Sequence, residues 1–216
     1  MGNADVFAYT EQIYEDEFKR IFYLLQDSYN KIIKQESFQG DEMETFIRNI
    51  LVKKYLRKNK GKFEIGYLGF EIESGEIDGE FETKGFIDIK VLNPGKKDLL
   101  NEDEYYALEC KRLDGYSKKN RLYIQEGIYR FIIEKYARDM PLAGMIGFIQ
   151  NGEIVDIVLD INNKIDEEND FLIGKLLKED IIDGCDYLYS SDNTREYSNE
   201  KIKIYHIMMD FKNVAS

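Results

Sequence analysis

The sequence predicts an α/β domain: a central mixed β-sheet flanked by helices, with a helical arm at the N-terminus. Three observations lead there. Apolar residues recur at helical spacing in two long stretches near the start. Short alternating or wholly apolar runs, the mark of half-buried and buried strands, fill the middle and return near the end. The two patterns interleave as helix, helix, three strands, helix, strand, helices, strand, the order of helices packed on a sheet.

Over 11–35, Ile13, Phe18, Ile21, Phe22, Leu25, Tyr29, Ile32 and Ile33 define a long amphipathic helix. Gly40 and Asp41 interrupt it. A second helix follows over 41–57, with Phe46, Ile47, Ile50, Leu51 and Leu56 on one side, and 59–61 ends it. Residues 63–74 alternate through Phe63, Ile65, Tyr67, Phe70 and Ile72, and 80–92 carry Phe86, Ile87, Ile89 and Val91, so both read as strands. Asn93, Pro94 and Gly95 signal a turn. Residues 104–111 read as a buried strand, 122–137 as a helix rich in Tyr, Ile and Phe, and 143–150 as a core strand. The stretch 152–182 reads as two helical segments separated by 166–170, and 202–211 as a closing strand.

A chain of 216 residues suits one domain, organised as an arm (1–40), a core (41–150) and an acidic C-terminal part (151–216). Hydrophobic residues at 43% supply a sizeable core, and two prolines with no low-complexity run argue against disorder. The longest clean apolar run, 143–149, is far short of the ~20 residues that cross a bilayer. The first residues lack the basic-then-apolar pattern of a signal peptide. Cys110 and Cys185 form no metal-ligand pattern and fit a reducing compartment. These features predict a cytoplasmic protein without a membrane partner.

The net charge of -12 opposes nucleic-acid binding, but it is unevenly spread. From Lys53 to Lys62 there are six basic residues and no acid, and 111–121 is basic with one acid. From Glu153 onward there are 15 acids against 7 Lys and Arg. Either basic patch alone is as well explained by a solvated face.

Strand alternation supplies the chemistry. On 104–111, Glu109 and Lys111 point one way and Leu108 and Cys110 the other. Asp88 is opposite in sense to Ile87 and Ile89, which enter the core. If the two strands pair, Asp88, Glu109 and Lys111 meet on one side of the sheet. Two carboxylates and an ammonium suit phosphodiester hydrolysis: Mg²⁺ is a hard cation that takes carboxylates, waters and phosphate oxygens. A partly desolvated lysine beside a dication has reason for a lowered pKa. The carbonyl of Cys110 is a further potential ligand. Asp78, Glu80 and Glu82 replace Asp88 if the strand register differs. His206, the single histidine, lies in an apolar strand and reads as a satisfied core residue. Asp160-x-Asn162-x-Lys164 fails as a calcium loop because Ile165 stands where Gly is needed. No phosphate-binding glycine motif occurs, so no nucleotide cofactor is expected.

Asp88, followed 21 residues later by Glu109-Cys110-Lys111, resembles the D…ExK signature of the PD-(D/E)XK (restriction-endonuclease-like) nucleases. Gly85-Phe86-Ile87-Asp88 resembles the GxxD form of the RecB-like branch, and Gln125-x-x-x-Tyr129 its QxxxY helix motif. The resemblance spans roughly 41–150 and implies a restriction-endonuclease-like core. It also implies Mg²⁺- or Mn²⁺-dependent cleavage of DNA leaving a 5′-phosphate, in a restriction or phage-defence setting. In that reading Asp88, Glu109 and the Cys110 carbonyl hold the metal, Lys111 orients the water, and Gln125 fixes Lys111 or the phosphate. Glu44 is a further metal candidate, because the family often places a helix acid there; its spacing from Asp41 favours a helix cap instead. Tyr129, Arg130, Lys118, Lys119 and Arg121 are candidate nucleic-acid contacts, Tyr129 being as readily a core residue and Arg130 a solvated one. The segment between Asp88 and Glu109 is long for the family, and the cysteines of an iron–sulfur cluster are lacking. The first helix and the acidic C-terminal part lie outside the resemblance and are expected to meet a partner protein or a second copy. A non-cutting subunit that binds protein or nucleic acid, and an RNA-directed nuclease or toxin, are the rival readings.

Overall fold

The computed structural model describes residues 3–37, 44–77, 83–94, 105–138, 140–168, 172–212 and 214. Seven strands form one mixed sheet: β1 (Gly69–Ile77), β2 (Thr83–Leu92), β3 (Tyr105–Leu113), β4 (Leu142–Ile149), β5 (Leu177–Lys178), β6 (Leu188–Thr194) and β7 (Lys201–Asp210). Their order is β1-β2-β3-β4-β7-β6-β5. β3/β4 and β4/β7 are parallel, and the remaining neighbours are antiparallel. The α/β class with helices flanking a mixed sheet is therefore as expected.

Helix α1 (Asn3–Gln35) buries Phe18, Ile21, Phe22, Leu25 and Ile32, the stripe its periodicity defines. Its rings stack into the sheet: Phe18 lies 5.1 Å from Tyr106 and 5.7 Å from Tyr205, centroid to centroid. Strand alternation separates the two faces. A Cβ on Gly144 of β4 would meet Phe22 and Phe18 of α1, whereas Met145, the next residue, lies against Gly127 of the helical run 117–132. Leu108 and Cys110 of β3 are buried, and Leu108 shares the α1 face with Gly144. Glu109 pairs with Met145 in parallel register and so looks toward the 117–132 run. That run comprises α4 (Ser117–Tyr123), a π turn (Ile124–Ile128) and α5 (Tyr129–Ile132). Helix α6 (Ile154–Glu168) packs beside it, joined by Asn120 donating to Asp160.

Several boundaries differ from the expectation. Helix α2 (Glu44–Ile50) runs on through a π turn (Leu51–Leu56), α3 (Arg57–Asn59) and a 3-10 turn (Lys60–Phe63). Phe63 thus belongs to a helical turn, Glu64 turns the chain with φ 59°, and β1 begins only at Gly69. The helix expected at 122–137 starts at Ser117 and ends at Ile132, with Glu134 and Ala137 at positive φ beyond it. The second helical segment expected before 182 is not formed. Its place is taken by a loop whose Leu176 N–H donates to Asn162, followed by the short strand β5. β6 was not anticipated at all. Gly40, Asp41, Asp78, Glu80, Glu82 and Gly95 lie outside the described residues. Among the described residues no helix is long and apolar enough to cross a membrane.

Candidate active site

β2 and β3 pair from Leu92↔Tyr105 to Ile89↔Leu108 and no further. Where the ladder stops, a side chain continues it: Oδ2 of Asp88 accepts the Cys110 backbone N–H at 2.9 Å. Asp88 is thereby fixed beside the Glu109-Cys110-Lys111 segment, as strand alternation requires. Glu109 is 0% exposed. Its Oε1 accepts from Lys111 Nζ at 2.7 Å and from Arg130 Nη1 at 2.5 Å. Its Oε2 is buried without a hydrogen-bond partner among the described residues. Lys111 Nζ also donates to the Cys110 carbonyl at 3.1 Å. Asp88, Glu109, Lys111 and the Cys110 carbonyl therefore come together.

Glu44 joins them from α2. Its Oε2 accepts the Arg112 backbone N–H at 2.7 Å, so the carboxylate is turned toward β3. The cap reading turns on Asp41, which lies outside the described residues. Gln125 does not join: it is exposed on the π turn and makes no hydrogen bond to the cluster. The run here is a π turn, whose i→i+5 bonding puts more residues in a turn than an α-helix, so residues four apart no longer share one face as closely. Gly127 and Arg130 then face β3, where a Cβ on Gly127 would lie 3.7 Å from Cγ of Lys111. Tyr129 is half-buried and donates to Glu196 at 3.2 Å, away from Glu109. Arg130 is neither merely solvated nor remote; it is an ion-pair partner of Glu109. Lys118 and Lys119 lie on α4, and Arg121 pairs with Glu168 at 3.6 Å.

The sequence reading missed three residues. Arg48 of α2 is 3% exposed and pairs with Oδ1 of Asp88 at 2.5 Å and with Glu73 at 2.6 Å. Glu73 sits opposite Asp88 across β1 and β2 at φ 52°. Tyr136 accepts from Arg130 Nη1 at 3.2 Å and donates to the Phe86 carbonyl at 2.9 Å. A basic residue one helical turn after Glu44 was the only signal for Arg48.

Burial, reinforced by Asp88, pushes the Glu109 carboxyl up to about 7, against the pull of Lys111 and Arg130. Burial likewise raises Glu44. Lys111 departs from the expectation of a lowered pKa. Burial lowers it, but Glu109, Glu44 and Asp88 outweigh that, and the net direction is upward. The ammonium is thus held charged among three acids. As a metal site the donor set is hard oxygen throughout, and the orphaned Oε2 of Glu109 is a buried acceptor in want of a cation. Among the described residues, however, no three Asp, Glu, His or Cys side chains are grouped closely enough to hold a metal ion by themselves. The fit rests on two carboxylates and a backbone carbonyl, the sparse kind of set that Mg²⁺ tolerates because it keeps its waters.

No family model matches the chain, and neither does any curated protein or solved structure.

Proposed function

We propose that the chain is a metal-dependent nuclease that hydrolyses phosphodiester bonds in DNA, with Asp88, Glu109 and Lys111 at its centre. One observation supports this most: a buried Glu109 carboxylate, with one oxygen unpartnered, lies beside a charged lysine and within one residue of the Asp88 contact. Asp88, Glu109 and the Cys110 carbonyl would hold Mg²⁺ or Mn²⁺, with Glu44 nearby as a further acid. When bound, such an ion polarises the phosphoryl group and offsets charge on the leaving oxygen. The remaining work belongs to the chain. Lys111, anchored by Glu109 and the Cys110 carbonyl, orients a water or a phosphate oxygen through its third N–H. Arg130 offers guanidinium donors to the phosphate. Gln125 has no role in this reading. The proposal carries with it a cytoplasmic setting in restriction or phage defence, with DNA as substrate and a partner protein or second copy to supply affinity against the net charge.

The test uses plasmid, linear DNA and RNA with Mg²⁺, Mn²⁺ or EDTA, and Glu109→Ala and Lys111→Ala beside the wild type. Metal-dependent cutting that disappears in both variants is expected. Cutting that survives both removes the assignment of the site.

A second reading, a non-cutting subunit that binds a protein or nucleic acid, is favoured by one observation. Each acid already has cationic company: Asp88 has Arg48, and Glu109 has Lys111 and Arg130. Absence of cutting on every substrate and metal would favour it.

A further inference from the structure

We infer that the substrate reaches this site as an unpaired strand, with a nucleobase stacked on Phe86; the inference rests on the nuclease reading above. Phe86 is 60% exposed, although it lies in a strand whose next residue, Ile87, is fully buried. It is two residues from Asp88, so strand alternation places both side chains on the same face of β2. Exposure alone says little, since Tyr116 and Tyr197 are as open; the place of Phe86 beside Asp88 is what sets it apart. Its backbone is held firmly. The Phe86 carbonyl accepts the Tyr136 hydroxyl, that hydroxyl accepts from Arg130 Nη1, and Arg130 Nη1 also donates to Glu109. The backbone that carries the ring is therefore tied by a continuous hydrogen-bonded path to the buried acid of the site.

Two cations lie beside this stretch of backbone, one reached from the Phe86 carbonyl through Tyr136 and one against Gly85. Among the described residues both hydrogen bonds of Arg130 fall on Nη1, which leaves Nε and Nη2 as donors on a side chain that is 27% exposed. The Lys135 ammonium stands against Gly85, where an added Cβ would lie 2.9 Å from Nζ, and 5.7 Å from the Tyr136 ring centroid. An exposed ring on a strand segment whose backbone neighbours are a guanidinium and an ammonium suits a nucleotide of a single strand: the base would take the ring and the adjoining phosphate the cations. A paired duplex keeps its bases inside the stack and presents no free π-face to Phe86. The unpaired strand is thus the occupant this rim selects, whether its sugar is deoxyribose or ribose.

The test is fluorescence anisotropy in EDTA, so that binding is read without cutting. Single-stranded DNA, single-stranded RNA and duplex DNA of one sequence are titrated with the full-length wild type, Phe86→Leu and Phe86→Trp. Cutting in Mg²⁺ is recorded in parallel. Preference of the wild type for either single strand over the duplex is expected. Phe86→Leu should weaken that binding by roughly five- to a hundredfold, Phe86→Trp should retain it, and duplex binding should be unchanged. Single-strand binding equal in wild type and Phe86→Leu overturns the inference, and so does a preference for duplex. If Mg²⁺-dependent cutting persists in that case, the nuclease reading stands without it. A wild type that neither binds nor cuts any of the three sinks both.

Discussion

Arg48 and Asp88 form an ion pair that is almost wholly removed from water, with side-chain exposures of 4% and 15%. A pair of that kind contributes little beyond an apolar replacement, yet breaking it from one side strands a charge. Arg48→Met should therefore cost about 3 kcal/mol in urea unfolding with EDTA present, and adding Asp88→Asn should recover much of the loss. Equal stability of wild type and single variant would show the pair to be idle. His206 gives a prediction of opposite kind. It is 0% exposed, bonded to Tyr123 and Ser191 at 2.9 Å each, and burial lowers its pKa to about 3. The unfolded chain binds a proton at this residue near pH 6.5, and the native state does not. Stability should fall as pH drops below that value, by about 1.4 kcal/mol per unit from this group, until about 3. His206→Gln should flatten the slope by that amount, whereas an unchanged slope would mean the ring is protonated in the native state. At this scale Asp88, Glu109 and Lys111 were legible, because alternation in a short strand fixes which way each residue faces. Arg48, Glu73 and Tyr136 were not, because they arrive from other elements whose placement no local pattern encodes.

Elements were legible where one period dominated and illegible where tertiary contacts override it. The stripe of α1 and the apolar run of β4 are of the first kind. β6 is of the second. Its Ser190, Ser191, Asp192 and Asn193 are residue types poor in strands, yet they form one, with Ser191 bonded to His206 and Asn193 to the Ser191 carbonyl and the Gly174 N–H. The neighbouring loop follows from the same pairing. A Cβ on Gly174 would collide with the Asp192 carbonyl, which is backbone and cannot rotate aside. Gly174→Ala should accordingly destabilise by about 2 kcal/mol or more in urea, while Gly184→Ala provides a comparison where nothing crowds the Cβ but φ is 74°. No loss at Gly174 would mean that the loop is free to move off β6. The π turn at Ile124–Ile128 bears on the exposure of Gln125: the QxxxY spacing assumes 3.6 residues per turn, and the turn here holds more.

At the scale of the whole molecule, the N-terminal helix is joined to the core by its apolar stripe. From Phe18 to Ile32, α1 buries six large apolar side chains in the core, each contributing on the order of 2 kcal/mol. A chain lacking 1–37 should show no cooperative urea transition by circular dichroism, and a two-state transition in that truncation would show that the sheet folds without α1. The net charge of -12 sets the terms for any polyanion: binding should depend on the local cations beside Glu109 and fall steeply with salt. The rate of DNA cleavage as Mg²⁺ is titrated into wild type and into Asp88→Asn tests the metal-centred site most directly. The wild type should be silent in EDTA and rise to saturation with Mg²⁺, and Asp88→Asn should be slower by at least about a hundredfold. Superimposable Mg²⁺ curves for the two proteins would contradict it.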